Sequence, residues 1–295
     1  MLLRRVQPRG VQALGALRSS GSRTPFFRAS RSVSVRCSSK SGEVRAGSPP
    51  QSCTAAAAEA RSVLRALREE AATAAENQSS DKTAGLAARL RVRVELPLPP
   101  ADVDTDEVLF LGLWGQAADW SGGMQQRFRV TRAYVEEMLD GYDPEFLGVL
   151  EEPSDGVGVW RCERMTVVTH VADATARALM ALCQGDYGSS VLEPDHLMVV
   201  VNAFWTEGGG AVGQPWEVSL RREARVLLSS EEGSWDKVYC LRAVRSAAGV
   251  DGTLWRKWPG PWRLLDSSGS LLLETSREPS IQDIASTLNG AAGAP

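Results

Sequence analysis

The first residues that could do chemistry follow the most compact apolar run in the chain. Leu197–Val201 is five consecutive apolar residues, three of them β-branched, and Asn202 comes directly after it. A short apolar run bounded by turn residues predicts a strand buried on both faces of a sheet. Ligands of open α/β sheets bind beyond the carboxyl ends of such strands, so Asn202 is a candidate ligand-binding residue. The alternative is that Asn202 only turns the chain as it leaves the strand.

A glycine-rich loop and an arginine pair follow this strand and complete the first candidate site. Gly208, Gly209 and Gly210 could cradle a phosphate, and Arg221 and Arg222 stand near the start of a later helix. Together with the preceding asparagine they predict a site for a nucleotide or a phosphorylated metabolite. The glycine run lacks the Gly-Lys-Ser/Thr of a P-loop and does not match G-x-G-x-x-G, so a flexible loop is the alternative interpretation.

The second group is a tryptophan-rich stretch in which aromatic rings are interleaved with cations. Its candidate partner-binding residues are Trp255, Arg256, Trp258 and Trp262. This pattern could stack a base or ring of a ligand or anchor a protein interface. The alternative is a packed hairpin corner in which the tryptophans fill the core.

No catalytic residue, metal ligand or cofactor is predicted elsewhere. The sequence has no Gly-x-Ser-x-Gly elbow, so an α/β-hydrolase triad has no anchor. It has no Cys-x-x-Cys, and its two histidines do not supply metal-ligand spacing with the cysteines. The cysteines are therefore expected to be small buried hydrophobes, with a regulatory disulfide as the alternative. Asp102, Asp104 and Asp106 alternate, but the glycine and glutamate of a calcium loop are missing. A solvated acidic loop is the simpler interpretation, and a metal-binding Asp-x-Asp of the sugar-nucleotide kind is the alternative.

Periodicity and turn residues predict helices and strands that alternate along most of the chain. The predicted helices are 55–77, 125–139, 174–184, 215–229 and 281–288, and the predicted strands are 90–96, 108–114, 159–162, 165–171, 197–201, 237–244, 254–258, 262–266 and 270–274. This order predicts an α/β fold. It is a single three-layer domain with a mixed, mostly parallel central sheet and an antiparallel C-terminal meander.

Four local expectations accompany this pattern. The segment 90–96 alternates apolar and charged residues, which is typical of a half-buried strand near a sheet edge. Residues 145–158 predict a loop. Asp173 is expected to cap the third helix, and Trp216 is expected on the inner face of the fourth.

Charge divides the chain near residue 37. Residues 1–37 contain eight arginines and no acid, which is typical of an organelle transit peptide. Val35-Arg36-Cys37 before Ser38 looks like a chloroplast processing site, and mitochondrial import is the alternative. Removing these eight charges from the net −3 leaves −11 for residues 38–295, which argues against a nucleic-acid partner. No run approaches the roughly 18 apolar residues of a membrane span.

The expected organisation is therefore a chloroplast transit peptide over residues 1–37 and a disordered linker over 38–54. The α/β domain follows over 55–290, and residues 291–295 form a tail.

Several segments, taken in order, resemble one known family. These segments are Leu90-Arg91-Val92-Arg93-Val94-Glu95-Leu96-Pro97, Val199-Val200-Val201-Asn202, Arg221-Arg222, Val238-Tyr239-Cys240-Leu241-Arg242, Gly252-Thr253-Leu254, Trp258-Pro259-Gly260-Pro261-Trp262 and Glu278-Pro279-Ser280. They resemble the domain-of-unknown-function family numbered nineteen-ninety-five of plants, algae and cyanobacteria, which includes the low-photosystem-II-accumulation type of chloroplast protein. The resemblance covers about residues 55–290. It implies a plastid location and supplies no catalytic residues.

Two functions from different classes follow from these observations. The first is a non-enzymatic chloroplast protein of the stroma or thylakoid periphery that acts through protein contacts in assembly or maintenance of the photosynthetic apparatus. The alternative is an enzyme that binds a nucleotide or phosphometabolite at the carboxyl edge of the sheet.

Overall fold

The computed structural model describes residues 48–78, 90–99, 123–150, 156–193, 195–206, 210–229 and 235–292. Its helices are α1 Cys53–Gln78, α2 Gly123–Met138, α3 Ala176–Cys183, α4 Val218–Leu228 and α5 Ile281–Ala292. Its strands are β1 Leu90–Glu95, β2 Glu145–Val149, β3 Gly158–Cys162, β4 Met165–Thr169, β5 Leu197–Val201, β6 Trp235–Arg245, β7 Asp251–Lys257, β8 Trp262–Asp266 and β9 Leu271–Thr275. The predicted transit peptide, the strand expected at 108–114, the acidic loop, and Gly208 and Gly209 lie outside the described residues.

The described strands form one mixed sheet in the order β2-β3-β4-β5-β1-β6-β7-β8-β9. The four central strands β4, β5, β1 and β6 are mutually parallel, and the strands on both sides of them pair antiparallel. The predicted α/β class, the mixed sheet and the C-terminal meander are confirmed. The crossover from β4 through α3 to β5 has the parallel connection that the sequence predicts.

Helices cover both faces of the sheet, so the domain has the three layers expected. On β5, Leu197, Val199 and Val201 face α1 and α2, while Met198 and Val200 face α3 and α4. Every residue of β5 is buried, as the unbroken apolar run requires. Helix α5 packs against the meander through Ile284 and Leu288. No helix among the described segments is long and apolar enough to cross a membrane.

Strand β1 lies at the centre of the sheet, between β5 and β6, and the expectation of an edge position is wrong. Its polar face is covered by side chains of other segments rather than by water. Arg91 lies over the Trp235 ring at 5.9 Å and Arg93 over the Trp205 ring at 4.9 Å. The alternation of apolar and charged residues therefore predicted correctly that one face of β1 is polar. Aromatic rings and opposite charges cover that face.

Three other local expectations need correction. Residues 145–149 form β2, which pairs with β3 through a bulge near Gly148 and for that reason lacks simple alternation. Asp173 makes no cap hydrogen bond to its helix, because its carboxylate accepts from the backbone and hydroxyl of Thr206. Trp216 precedes α4 and is 76 % exposed, so it does not belong to the inner face.

Two glycines near the C-terminus allow a matched test of packing in the meander. A Cβ atom on Gly252 would lie 2.7 Å from the Leu265 carbonyl oxygen and 2.6 Å from Leu288 Cδ2, whereas one on Gly290 in α5 would meet nothing within 4 Å. We expect Gly252→Ala to lower the free energy of unfolding by about 1–3 kcal/mol. Gly290→Ala should raise it by about 0.5–1 kcal/mol, because alanine favours helix. Urea unfolding measures both changes, and equal effects would contradict the packing described.

Candidate functional site

The carboxyl edge of the parallel strands carries two non-glycine residues in the left-handed backbone region. His170 follows β4 with φ 55°, and Asn202 follows β5 with φ 51°. The His170 N–H donates to the Val201 carbonyl at 3.0 Å, and the Asn202 N–H donates to the Val94 carbonyl at 2.9 Å. Left-handed backbone is unfavourable for residues with a Cβ and recurs at functional sites, so this edge is one place to seek a ligand site. Arg164, at the amino-terminal end of β4, adopts the same conformation with φ 54°.

Asn202 is held within the sheet by its own side chain. Its Oδ1 accepts a hydrogen bond from the Leu96 N–H at 2.8 Å, and the residue is 7 % exposed. Its Nδ2 has no hydrogen-bond partner. The oxygen that the sequence offers to a ligand therefore joins the ends of β5 and β1, and only the amide nitrogen is left uncommitted.

Arg127 on α2 is the least expected residue at this edge. It is 7 % exposed, and neither Nε nor Nη1 has a hydrogen-bond partner. Its guanidinium lies over the Phe204 ring, with Cζ 4.3 Å from the ring centroid. Burial lowers the pKa of Arg127 to about 10, which leaves the group charged at neutral pH.

His170 lies beside Arg127 and is neutral. Its Nε2 is 2.9 Å from the Thr131 Oγ1, and its ring centroid is 5.8 Å from that of Phe204. Burial, together with the charge of Arg127, lowers the pKa of His170 to about 3. The Gly156 backbone interacts with the ring and partly offsets this lowering of the pKa, while Nδ1 makes no hydrogen bond of normal geometry.

A compact ion network lies on the polar face of β1. Glu95, with a side chain 13 % exposed, contacts Lys237 Nζ at 2.8 Å, Arg242 Nη1 at 3.4 Å and Arg93 Nη2 at 3.7 Å. Lys237 also contacts Glu278 at 2.6 Å, which links the segment before α5 to the central strands. Burial by itself raises the pKa of Glu95, but Lys237, Arg242 and Arg93 outweigh it and lower the pKa to about 2.

The predicted glycine and arginine group is described only in part. Arg221 Nη2 donates to the Gly210 carbonyl at 3.1 Å, so this arginine closes its own loop. Arg222 is exposed. The predicted site stays a prediction, because Gly208 and Gly209 lie outside the described residues.

The tryptophan-rich stretch forms packing on both faces of the sheet instead of one surface. Trp255 is 4 % exposed among the α1 side chains and donates from Nε1 to Glu59 at 3.2 Å, whereas Trp262 is 2 % exposed on the α5 face. Arg256 donates to the Lys237 carbonyl at 2.7 Å, and Trp258 is partly buried. Burial removes Trp255 and Trp262 from contact with a partner, so the expected four-residue surface is not present.

A shallow cleft of about 370 Å³ lies at the opposite, amino-terminal edge of β4 and β5. Its wall includes Arg68, Tyr142, Arg164 and Asp195. Arg164 forms an ion pair with Asp195, and Arg68 lies over the Tyr142 ring at 5.2 Å. Arg164 is thus paired with a carboxylate, whereas Arg68 and Arg127 each lie over an aromatic ring.

The described part of the chain contains no cluster of metal-ligating side chains and no disulfide. No three His, Cys, Asp or Glu side chains there lie close enough together to hold a metal ion. The cysteines in these segments, Cys53, Cys162, Cys183 and Cys240, form no disulfide and are buried, as expected for small hydrophobes.

Reasoning from sequence located the edge but missed the side chains that characterise it. Arg127 carries no signal of its own, since it is one of several polar residues on a predicted helix. The weak signal was His170, a buried-strand histidine with no nearby partner in the sequence. Phe204, 36 % exposed and three residues beyond β5, completes the group through a bridge between Ala172 and Phe204.

Comparison with known proteins gives one match. The model of a family described as "Domain of unknown function (DUF1995)" matches residues 50–286. No curated protein and no solved structure matches the chain.

The ion network around Glu95 predicts a specific pH dependence of stability. Because the pKa of Glu95 falls from 4.5 to about 2 on folding, its contribution is complete above pH 4.5 and is lost as the pH falls towards 2. We expect Glu95→Gln to lower the free energy of unfolding by about 3 kcal/mol at pH 7. The difference between wild type and variant should shrink from pH 4.5 to pH 2 in urea unfolding.

Glu274→Gln is the matched control, because Glu274 pairs with Arg263 but its side chain is 46 % exposed. An exposed pair contributes little, so this change should cost less than about 1 kcal/mol. If the wild-type and Glu95→Gln curves run parallel down to pH 2, Glu95 is not the titrating group.

Proposed function

Because the chain belongs to the family described as "Domain of unknown function (DUF1995)", we propose that it is a plastid protein that acts through protein contacts. Its role is that of a non-enzymatic auxiliary, assembly or maintenance factor of the photosynthetic apparatus, in the stroma or at the thylakoid periphery. The arginine-rich, acid-free first 37 residues support the plastid address, with import into mitochondria as the alternative. The main support for protein contacts is the set of exposed apolar side chains on the outward face of α4.

This outward face carries apolar residues that the packing of the domain does not use. Trp216 is 76 % exposed, Val218 is 70 % exposed and Val226 is 48 % exposed. At 3.6 residues per turn, Val218, Arg222 and Val226 fall within about 80° of one another on the helix surface. The inward side of the same helix is occupied by Ala224, Leu227 and Leu228. Exposed aromatic and aliphatic side chains grouped in this way mark interaction surfaces.

The charges around these residues indicate what kind of partner would fit. Arg222 and Arg225 are exposed on the same side of α4 and outnumber the exposed Glu223. Glu217 is already paired with Arg177 at 2.7 Å. On a domain that is acidic as a whole, a locally basic and apolar face suits a protein partner with an apolar surface and an acidic rim.

The double variant Trp216→Ser, Val218→Ser should lose partner capture without losing the fold. The change removes the two most exposed apolar side chains at the α4 surface, where neither contributes to a core cluster. The measurement is quantitative affinity capture of the tagged chain from intact plastids in mild detergent, with photosystem assembly components scored against a mock bait.

Ile281→Ser is the matched control, since Ile281 is 86 % exposed at the start of α5, away from α4. It should leave capture unchanged. Loss of the same partners in the control, or their full retention in the folded double variant, would count against α4 as the contact surface.

The plastid address is tested separately. Residues 1–60 fused to a fluorescent protein should enter isolated chloroplasts and be shortened near residue 37, because an arginine- and serine-rich segment without acids directs organelle import. Import assays with chloroplasts and mitochondria in parallel decide between the two organelles. Entry into mitochondria alone would contradict the proposed location.

A further inference from the structure

A buried cation with no acidic ion-pair partner among the described residues lies at the carboxyl edge of the parallel strands. This cation is Arg127, which is 7 % exposed. Its Nε and Nη1 donate no hydrogen bond. A buried, uncompensated guanidinium opposes folding, and natural proteins usually pair such a group or place it where a ligand pairs with it. The Arg127 side chain therefore needs an explanation that the packing of the domain does not provide.

The way Arg127 is held leaves its donors available. The guanidinium Cζ lies 4.3 Å from the centroid of the Phe204 ring, which is a cation–π contact and not a hydrogen bond. This contact therefore leaves the Nε and Nη1 donors without a hydrogen-bond partner. The Phe204 side chain that contacts the guanidinium is itself 36 % exposed to solvent.

A second donor without a partner adjoins the first. Nε2 of His170 is 2.9 Å from the Thr131 hydroxyl, and in the tautomer in which that hydroxyl donates to Nε2, the imidazole proton resides on Nδ1. Nδ1 has no partner. His170 and Arg127 both contact the Phe204 ring, so their free donors belong to one locality.

The backbone adds positive potential at the same end of the domain. Arg127 is the fifth residue of α2, whose first turn contains no acid. The free N–H groups of a helix start favour an anion nearby. The local charge is thus a single full positive charge supplemented by the helix start, and the neutral imidazole adds a polar group without a charge.

We propose that Arg127 and His170 bind the carboxylate of a small organic acid whose apolar part lies against Phe204. One uncompensated positive charge matches a monoanion, and a carboxylate accepts hydrogen bonds from both Arg127 and Nδ1 of His170. A phosphate dianion would bury an excess negative charge beside a neutral histidine. This site uses side chains at the carboxyl edge and does not depend on the α4 surface.

Thermal unfolding and calorimetric titration of the full chain with benzoate, acetate and inorganic phosphate test the assignment at constant ionic strength. We expect benzoate to bind saturably and to raise Tm by about 3 °C at ten times its Kd. Acetate should act more weakly because it has little apolar surface. A larger shift with phosphate than with benzoate, or no shift with any anion, would overturn the proposal.

Two substitutions on α2 separate ligand binding from structure. Arg127→Met should abolish the benzoate response and have a Tm without ligand that equals or exceeds that of the wild type, because it removes a buried unpaired charge. Arg129→Met, which alters an exposed arginine on the same helix, should keep the full response. An Arg127→Met variant that still responds to benzoate, or that melts well below wild type, would show that the guanidinium serves another purpose.

Arg127→Lys keeps the proposal testable if the methionine variant does not fold. Lysine retains the charge but lacks the planar donors, so benzoate affinity should fall by about tenfold or more. His170→Gln should weaken benzoate binding less than Arg127→Met, since it removes one neutral donor. Wild-type affinity in both of these variants would contradict the assignment.

Discussion

The position of one charged strand at the centre of the sheet is the constraint on which the rest of the structure depends. β1 joins the half that contains β2 to β5 with the half that contains β6 to β9. One of its faces is apolar and packs under α1, while the other carries Arg91, Arg93 and Glu95. A central strand can hold such residues only when neighbouring segments supply rings and opposite charges. The ion pairs of Lys237 with Glu95 and with Glu278 supply such opposite charges and connect β1 to the segment before α5.

Charge compensation separates the charged side chains of the domain into two groups. Glu95 on β1 is paired with Lys237, and Arg164 at the amino-terminal cleft is paired with Asp195. Arg127 has no carboxylate partner among the described residues, and Arg127, His170 and Asn202 each retain a buried nitrogen without a hydrogen-bond partner. Such nitrogens also occur on Arg93, Arg256 and His196, so the three groups mark the carboxyl edge because they occur together there.

The tryptophans divide into two classes with different consequences. Trp255 and Trp262 fill opposite sides of the meander, and their polar surroundings serve packing rather than recognition. Trp216, which the helical pattern assigned to the core, stands in solvent beside Val218. Exposed apolar side chains therefore lie on α4 and directly before it, on the side that helical periodicity would have required to be polar.

Sequence patterns determined the type of most described elements, the burial of β5, the three layers and the edge at which a ligand site is expected, because period and turn residues are local properties. They could not determine the central place of β1, because alternation reveals a polar face but not what covers it. The burial of Arg127 against Phe204, 77 positions later in the chain, and the pairing of Glu95 with Lys237 depend on distant segments meeting. The tertiary structure alone decided these contacts, since burial and charge compensation are properties of the assembled fold.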